Sequence, residues 1–343
     1  MTVIIGIDPH KASHTAVAIG CDERELANIK VRSTRRQVEQ LMAWAEPFET
    51  RTWAIESAGG LGYLLAQQLV AAGETVLDVP ATLSSRVRVL ASTRSNKNDP
   101  NDALSVAVAA LRSRDLRAVQ PADHVEVLRL LSKRNTDLGA HRTRVVCRLH
   151  AALTHLAPGG IAKELNASDV DRFLENIQPA TPVEQARYDL VVDLLADVRR
   201  LDEQLKESHR RIRTAVKAAD TTLIDLFGIG PVLACTLIGN TGDVRRFRNR
   251  DQFAAYNGTA PVELSSGGRV VHRLSQRGNR RLNHAIHMAA VCQIRQPHSD
   301  GRAYFDRKVA EGKTKKEALR ALKRQVSNAV YRQLLVDADR KAS

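Results

Sequence analysis

Short apolar runs alternate with amphipathic stretches over the first third of this chain, and a heptad rhythm replaces them further on. Val3-Ile4-Ile5-Gly6-Ile7 predicts a buried strand ending at Asp8, His14 to Ile19 a second strand, and Leu26 to Arg32 a third. The link Pro9-His10-Lys11-Ala12-Ser13 is short enough for a hairpin. A helix is predicted from Arg35 to Trp44, then a strand over Thr52-Trp53-Ala54-Ile55 that ends at Glu56. Gly59-Gly60 opens a helix through Ala72, and Thr75 to Val79 makes a further strand. Helices from Ala81 to Leu90 and from Asn101 to Ser113 complete the unit. Such an order of strands and helices describes an α/β domain with a mixed sheet over residues 1–115.

From about residue 122 the spacing of apolar positions lengthens. Leu128, Leu131, Asn135, Leu138, Arg142, Val145, Leu149, Ala152 and Leu156 alternate by three and four, a heptad pattern with Asn135 and Arg142 as polar interruptions. Val191, Leu194, Val198, Leu201, Leu205, Ser208, Ile212 and Ala215 repeat it. Pro158-Gly159-Gly160 ends the first helix, and Pro179 with Pro182 precedes the second. These coiled-coil helices, over 122–218, pair either within one chain as an antiparallel hairpin or between chains as an oligomer. Residues 221–343 are predicted mainly helical around a polar, glycine-rich loop, and end in a basic helix from Lys313 to Leu335. Leu226-Phe227-Gly228-Ile229-Gly230-Pro231-Val232 resembles a helix-hairpin-helix turn, whose amides face a phosphate; a Gly-Pro break between core helices explains it equally well.

Composition narrows the partner. The 343 residues carry a net charge of +14, which favours a polyanion, whereas an aromatic share of 4% offers few platforms for stacking bases. Cys21, Cys147, Cys235 and Cys292 form no CxxC pair, which argues against zinc ribbons and disulfide scaffolds and fits a reducing cytoplasm. No signal-peptide pattern is present, and no run reaches the roughly 20 apolar residues that span a bilayer. A protein acting in the cytoplasm, on the nucleoid and without a membrane partner, is expected.

Four acids carry the candidate chemistry. Asp8 and Glu56 end predicted strands, while Asp99 and Asp102 stand where a helix begins, so all four can meet at one sheet edge. Phosphodiester transfer needs charge neutralised on the non-bridging oxygens and on the leaving oxygen. Paired Mg²⁺ ions on carboxylates do both, and no His/Cys cluster points to zinc. Asp99, just before Pro100, also fits a plain helix cap. His10, Lys11 and Lys97 adjoin these acids and are placed to contact phosphate, or merely to be solvated. A second constellation, Ser265-Ser266-Gly267-Gly268-Arg269, offers a hydroxyl on a backbone that a bulky substrate can approach. Arg269, Arg273, Arg277, Arg280 and Arg281 follow it as a phosphate clamp would.

Gly6-Ile7-Asp8-Pro9-His10-Lys11, Ile55-Glu56-Ser57 and Lys97-Asn98-Asp99-Pro100-Asn101-Asp102-Ala103 resemble the DEDD motif of bacterial insertion-sequence transposases of family 110. Gly228-Ile229-Gly230-Pro231, Tyr256-Asn257-Gly258-Thr259-Ala260-Pro261, Ser265-Ser266-Gly267 and Arg277-Gly278-Asn279 are similar to that family's second domain. The resemblance implies a RuvC-like (RNase H-like) N-terminal domain, coiled-coil helices and a C-terminal transposase domain with a nucleophilic serine. Asp8, Glu56, Asp99 and Asp102 become Mg²⁺ ligands, and Ser266, or Ser265 one position earlier, becomes the nucleophile. It further implies a recombinase guided by a structured non-coding bridge RNA that pairs with double-stranded target and donor DNA. The same resemblance implies a homo-oligomer, dimer to tetramer, in which acids and serine come from different subunits. Two rivals stand beside it: a RuvC-like Holliday-junction endonuclease using water, and a non-catalytic nucleic-acid-binding protein.

Overall fold

Strand β1 (Val3–Pro9) is buried along its whole length, as its unbroken apolar run requires. It pairs antiparallel with β2 (Ser13–Ile19), which pairs antiparallel with β3 (Glu25–Arg32). Helix α1 (Gln37–Ala45) returns the chain to β4 (Arg51–Glu56), which lies parallel to β1 on its other side. Then α2 (Tyr63–Ala71) leads to the parallel β5 (Val76–Val79). Helices α3 (Ala81–Ala91) and α4 (Asp99–Arg112) follow, and β6 (Arg117–Ala118) closes the sheet in the order β3-β2-β1-β4-β5-β6. The mixed sheet is the one predicted; β6, two residues long, has no periodicity to betray it.

The computed structural model describes residues 2–91, 99–161, 165–266, 269–274 and 278–342, in two compact units, Met1–Ala122 and Asp123–Ser343. Alternation along the first unit's strands splits its core in two. Val3, Ile5, Ile7, Ala16, Trp53 and Ile55 face α1 and α2, while Ile4, Val17, Ile19, Ala54 and Val79 face α4. Gly6 sits on the α4 face, where a Cβ atom would stand 2.3 Å from the Ala103 carbonyl oxygen and 2.5 Å from the Ala107 nitrogen. Helix and strand backbones therefore touch, and only glycine allows it.

The second unit opens with α5 (His124–Leu153), capped by Asp123, then α6 (Ala167–Glu175) and α7 (Pro182–Ala218). Thr181 and Glu184 form a capping box at the start of α7, with Pro182 inside the first turn. The two heptad runs pack on each other within the chain, antiparallel. Ser208 Oγ meets Asn135 Oδ1 at 3.2 Å, Arg142 pairs with Asp202, and Leu138, Val145 and Leu149 share a core with Val191, Leu194 and Leu201. Each polar interruption of the first run therefore meets a polar partner on the second helix, which fixes the register of the pair.

A 3₁₀ turn (Thr222–Asp225), α8 (Pro231–Thr241) and α9 (Arg250–Asn257) come next. Strands β7 (Pro261–Ser266) and β8 (Arg269–Leu274) form an antiparallel pair, followed by α10 (Arg280–Arg295), α11 (Asp300–Ala310) and α12 (Lys315–Ala342). Three differences from the sequence reading have plain causes. Leu128, Ile212 and Val216, at the base of α5 and α7, share the core of the C-terminal helices, so the regions 122–218 and 221–343 form one unit. The glycine-rich loop is a β-hairpin, because Val262-Glu263-Leu264 and Val270-Val271-His272 are strand formers on either side of the two glycines. The basic C-terminal helix buries Leu322, Val326, Val330 and Leu334, an apolar stripe that its lysines obscured.

Gly6→Ala forces α4 away from β1. We expect a loss of about 1–3 kcal/mol in urea unfolding, against a gain if the contact were slack.

Candidate active site at the sheet edge

Asp8 and Glu56 lie near the C-terminal ends of the neighbouring parallel strands β1 and β4, in register through the pair Ile7 and Ile55. Each is an even step from a residue facing α4, so both carboxylates project to that face. Asp99 and Asp102 occupy the first turn of α4, which the Gly6 contact holds against β1. Sheet and helix thus bring all four predicted acids to one edge.

The electrostatics show how closely they are gathered. Burial pushes the Asp8 carboxyl up from the usual 3.8 to about 6, and the negative charges of Glu56, Asp102 and Asp99 push the same way against the opposing influence of His10. Asp8 is only 5% exposed, so little water relieves the crowding. His10 stands between two of the acids, with Nδ1 3.4 Å from Asp8 and Nε2 3.9 Å from Asp99. Ligand atoms of Asp8, His10 and Asp99 all fall within 4.8 Å of one another.

Each remaining carboxylate has a partner. Lys30 Nζ, on β3, donates to Asp99 Oδ2 at 2.6 Å and holds its carboxyl below the usual range. Arg88 Nη1 donates to Asp102 Oδ1 at 2.6 Å, and Ser84 Oγ to Glu56 Oε1 at 2.5 Å. Ser84 and Arg88 are four apart on α3, so one helix face secures two of the acids. Asp99, read from sequence as a possible helix cap, spends its carboxylate on Lys30. A cleft of about 390 Å³ opens beside it, lined by Thr15, Asn28, Ile29, Lys30 and Pro100. Asp8, His10 and Asp99 are thus a donor set that a divalent cation fits, and Glu56 and Asp102 stand near enough for their charge to act on Asp8 without joining that close group.

The other predicted residues scatter. Lys11 is exposed in the turn after β1. Ser265 and Ser266 end β7, opposite Val270 and Arg269, and Arg273 pairs in the hairpin with Val262. Arg280 is exposed and Arg281 half-buried at the start of α10. Lys97 and Arg277 lie outside the described residues. Gly228 (φ +86°) brings its turn to the Ala289 carbonyl of α10, where a Cβ would stand at 2.9 Å, so this glycine serves packing between helices. Sequence reading passed over Lys30, Ser84 and Arg88. The last two had a signal, an i, i+4 polar pair on a helix next to a carboxylate strand; Lys30, on a strand 69 positions from Asp99, had none.

The chain falls into a known class at both of its ends. A family model for DEDD transposases, described as "Transposase", matches residues 5–158 and so takes in all four acids. A second, "Transposase IS116/IS110/IS902 family", matches residues 220–306, the region of Ser266. The chain is a DNA transposase, an enzyme of phosphodiester transfer. Both matches are to transposase families that include IS110. Among its relatives are the IS116 insertion-element protein of Streptomyces clavuligerus, 29% identical over 96% of this chain and 94% of the relative, and the IS1328 transposase of Yersinia enterocolitica, 26% identical over 87% and 86%. Among solved structures, Thermus thermophilus RuvC in complex with a Holliday-junction substrate aligns over 35% of this chain and all of its own, with 18% identity and a TM-score of 0.28. No helix among the described residues is long and apolar enough to cross a membrane.

A raised carboxyl pKa has a signed consequence. Its stabilising effect is complete below the unfolded value of 3.8 and is lost as pH rises through about 6, because folding then confines the charge. Metal-free Asp8→Asn should therefore match the wild type in urea stability near pH 4. It should exceed it by up to about 3 kcal/mol above pH 6.5. Equal stabilities at pH 7.5 would show that Asp8 ionises freely.

Proposed function

We propose that this transposase cuts and rejoins double-stranded DNA through a phosphoserine link, with Asp8, Glu56, Asp99 and Asp102 holding Mg²⁺, two ions in the complete site, and Ser266 as nucleophile. The observation that carries the reading is the gathering of four acids at one edge around the buried Asp8, whose carboxyl is pushed up to about 6 by burial first and by the neighbouring negative charges second. A fold that retains such repulsion is suited to receive a cation. Bound there, Mg²⁺ supplies neutralisation of the phosphate oxygens and of the departing oxygen.

The chain's own residues do the rest. Asp8 and Glu56 are fixed on rigid neighbouring strands, and Asp99 and Asp102 on the helix those strands support. Ser266 ends a strand, beside two glycines that leave room for a DNA backbone. In the reaction the serine Oγ forms a bond to phosphorus as the bond to a deoxyribose oxygen breaks, and the serine proton ends on that oxygen. A DNA hydroxyl later attacks the phosphoserine and returns its proton to Ser266. Phosphodiester number is conserved, so no energy source is required.

The family resemblance supports the finer features. A structured bridge RNA pairs with target and donor, and in a synaptic tetramer the acids of one subunit serve the serine of another. Lys11, Lys97, Arg269, Arg273, Arg277, Arg280 and Arg281 are assigned to nucleic acid, in keeping with the net charge of +14.

Labelled DNA on denaturing gels tests the serine. Ser266→Ala should abolish the protein–DNA adduct and strand joining while Ser265→Ala retains both, and Asp102→Ala should lower cleavage at least roughly 100-fold. Undiminished cleavage by Ser266→Ala would transfer the role to water, as in a Holliday-junction endonuclease. Sequencing of co-purified RNA tests guidance: a structured species complementary to element ends and target is expected.

A further inference from the structure

Two cations of this chain sit where the proposed metal would act. Arg88 Nη1 lies 2.6 Å from Asp102 Oδ1, and Lys30 Nζ lies 2.6 Å from Asp99 Oδ2. They reach the acids from opposite sides, one from α3 and the other from the edge strand β3. Both cations are open to solvent, the Arg88 side chain 37% exposed and that of Lys30 58%, although Asp102 is only 12% exposed against 36% for Asp99. By contrast, Arg51 and Glu74, also in this unit, are joined at 2.6 Å with side chains only 15% and 13% exposed. Exposed pairs separate at little cost, whereas buried ones do not.

We propose that Arg88 and Lys30 are exchangeable counter-ions: they hold Asp102 and Asp99 while the site lacks metal, and yield the two carboxylates when a divalent cation enters. The inference rests on the metal reading given above. A carboxylate oxygen engaged by an ammonium or guanidinium at 2.6 Å is not available to an incoming ion, so each pair competes with metal. Four carboxylates at one edge would otherwise repel, and the two cations keep them in place until then. Lys30 also lines the cleft beside Asp99. Once displaced from the acid, its ammonium stands on that wall beside a phosphate drawn to the loaded site, which makes it a substrate-positioning residue. Ser84 differs, because a hydroxyl on Glu56 brings no charge and need not leave.

Calorimetric titration of the full-length protein with Mn²⁺ at pH 7.5, without DNA, tests the exchange. Arg88→Gln and Lys30→Gln should each bind Mn²⁺ roughly fivefold more tightly than the wild type. Their metal-free melting temperatures should fall, and saturating Mn²⁺ should restore them. Arg88→Lys, which keeps the charge, should bind like the wild type. Unchanged or weaker Mn²⁺ binding in both neutral variants would overturn the exchange and leave these residues as structural supports. Lys30→Gln changes an exposed strand-edge side chain, so it decides the matter should Arg88→Gln not fold. A wild type that binds no Mn²⁺ would fail the metal reading itself, and this inference with it. With Ca²⁺ in place of Mn²⁺, Lys30→Gln should weaken duplex binding and lower its salt dependence by about one phosphate contact. Equal salt slopes would remove the positioning role.

Discussion

The arrangement of the N-terminal unit depends on the absence of one side chain. Gly6 lets α4 rest on β1 with backbone atoms in contact, and the contact falls two residues before Asp8 on the strand and, at Ala103, one residue after Asp102 on the helix. Strand and helix are joined closest to the point where their acids must meet. Any larger residue would lift the helix and, with it, both of its carboxylates. The apolar positions around Gly6 reinforce this geometry: Ile4, Val17 and Ala54 on the sheet receive Ala103, Val106 and Ala107 on the helix. Those small helix residues serve the same close approach from the other side.

Bringing like charges together opposes folding, and the structure answers at each acid differently. Asp8, the most buried, holds its proton more tightly, chiefly because burial disfavours its charge and further because the other acids repel it. Asp99 and Asp102 are balanced by Lys30 and Arg88, and Glu56 by the Ser84 hydroxyl. Asp8, the one farthest from water, has only the half-exposed His10 beside it, 3.4 Å away. This is the pattern of a site whose missing charge comes from outside the chain. Arg51 and Glu74 make the useful contrast, since their mutual burial, with the Trp53 indole N–H also donating to Glu74 at 2.6 Å, closes an ion pair that asks for nothing further.

Much of this unit was legible in the sequence because its signals are local. An apolar run ending in an acid marks a strand end, so Asp8 and Glu56 could be named as candidates for one sheet edge, while the parallel pairing that makes them neighbours is a property of the fold. The helix start at Asp99 was similarly marked by Pro100. What sequence could not supply was pairing across distance. Lys30 reaches Asp99 only because β3 folds back along β2, and Asn135 meets Ser208, 73 positions away, because two long helices run antiparallel. The heptads foretold helices that pair, yet left open whether the partner lay in the same chain; Leu138 and Val145 packed against Val191 and Leu201 answer within it. The hairpin around Ser266 was missed for a different reason. Ser-Ser-Gly-Gly dominates its local composition, and the short β-branched segments flanking it are too brief to outweigh that signal.

On the proposed reading, the two units carry chemistry of different kinds. A metal site needs several ligands fixed to within a fraction of an ångström, which a sheet with helices on both faces provides. A serine that must approach a bulky duplex and later release it needs reach, and a two-stranded hairpin built from one short pair of segments provides that instead. Placing the nucleophile on the slighter element and the acids on the stiffer one separates precision from access. On the proposed reading, this explains why residues serving a single phosphate are more than 160 positions apart: a covalent link must be carried through strand exchange while the acids stay where the sheet holds them.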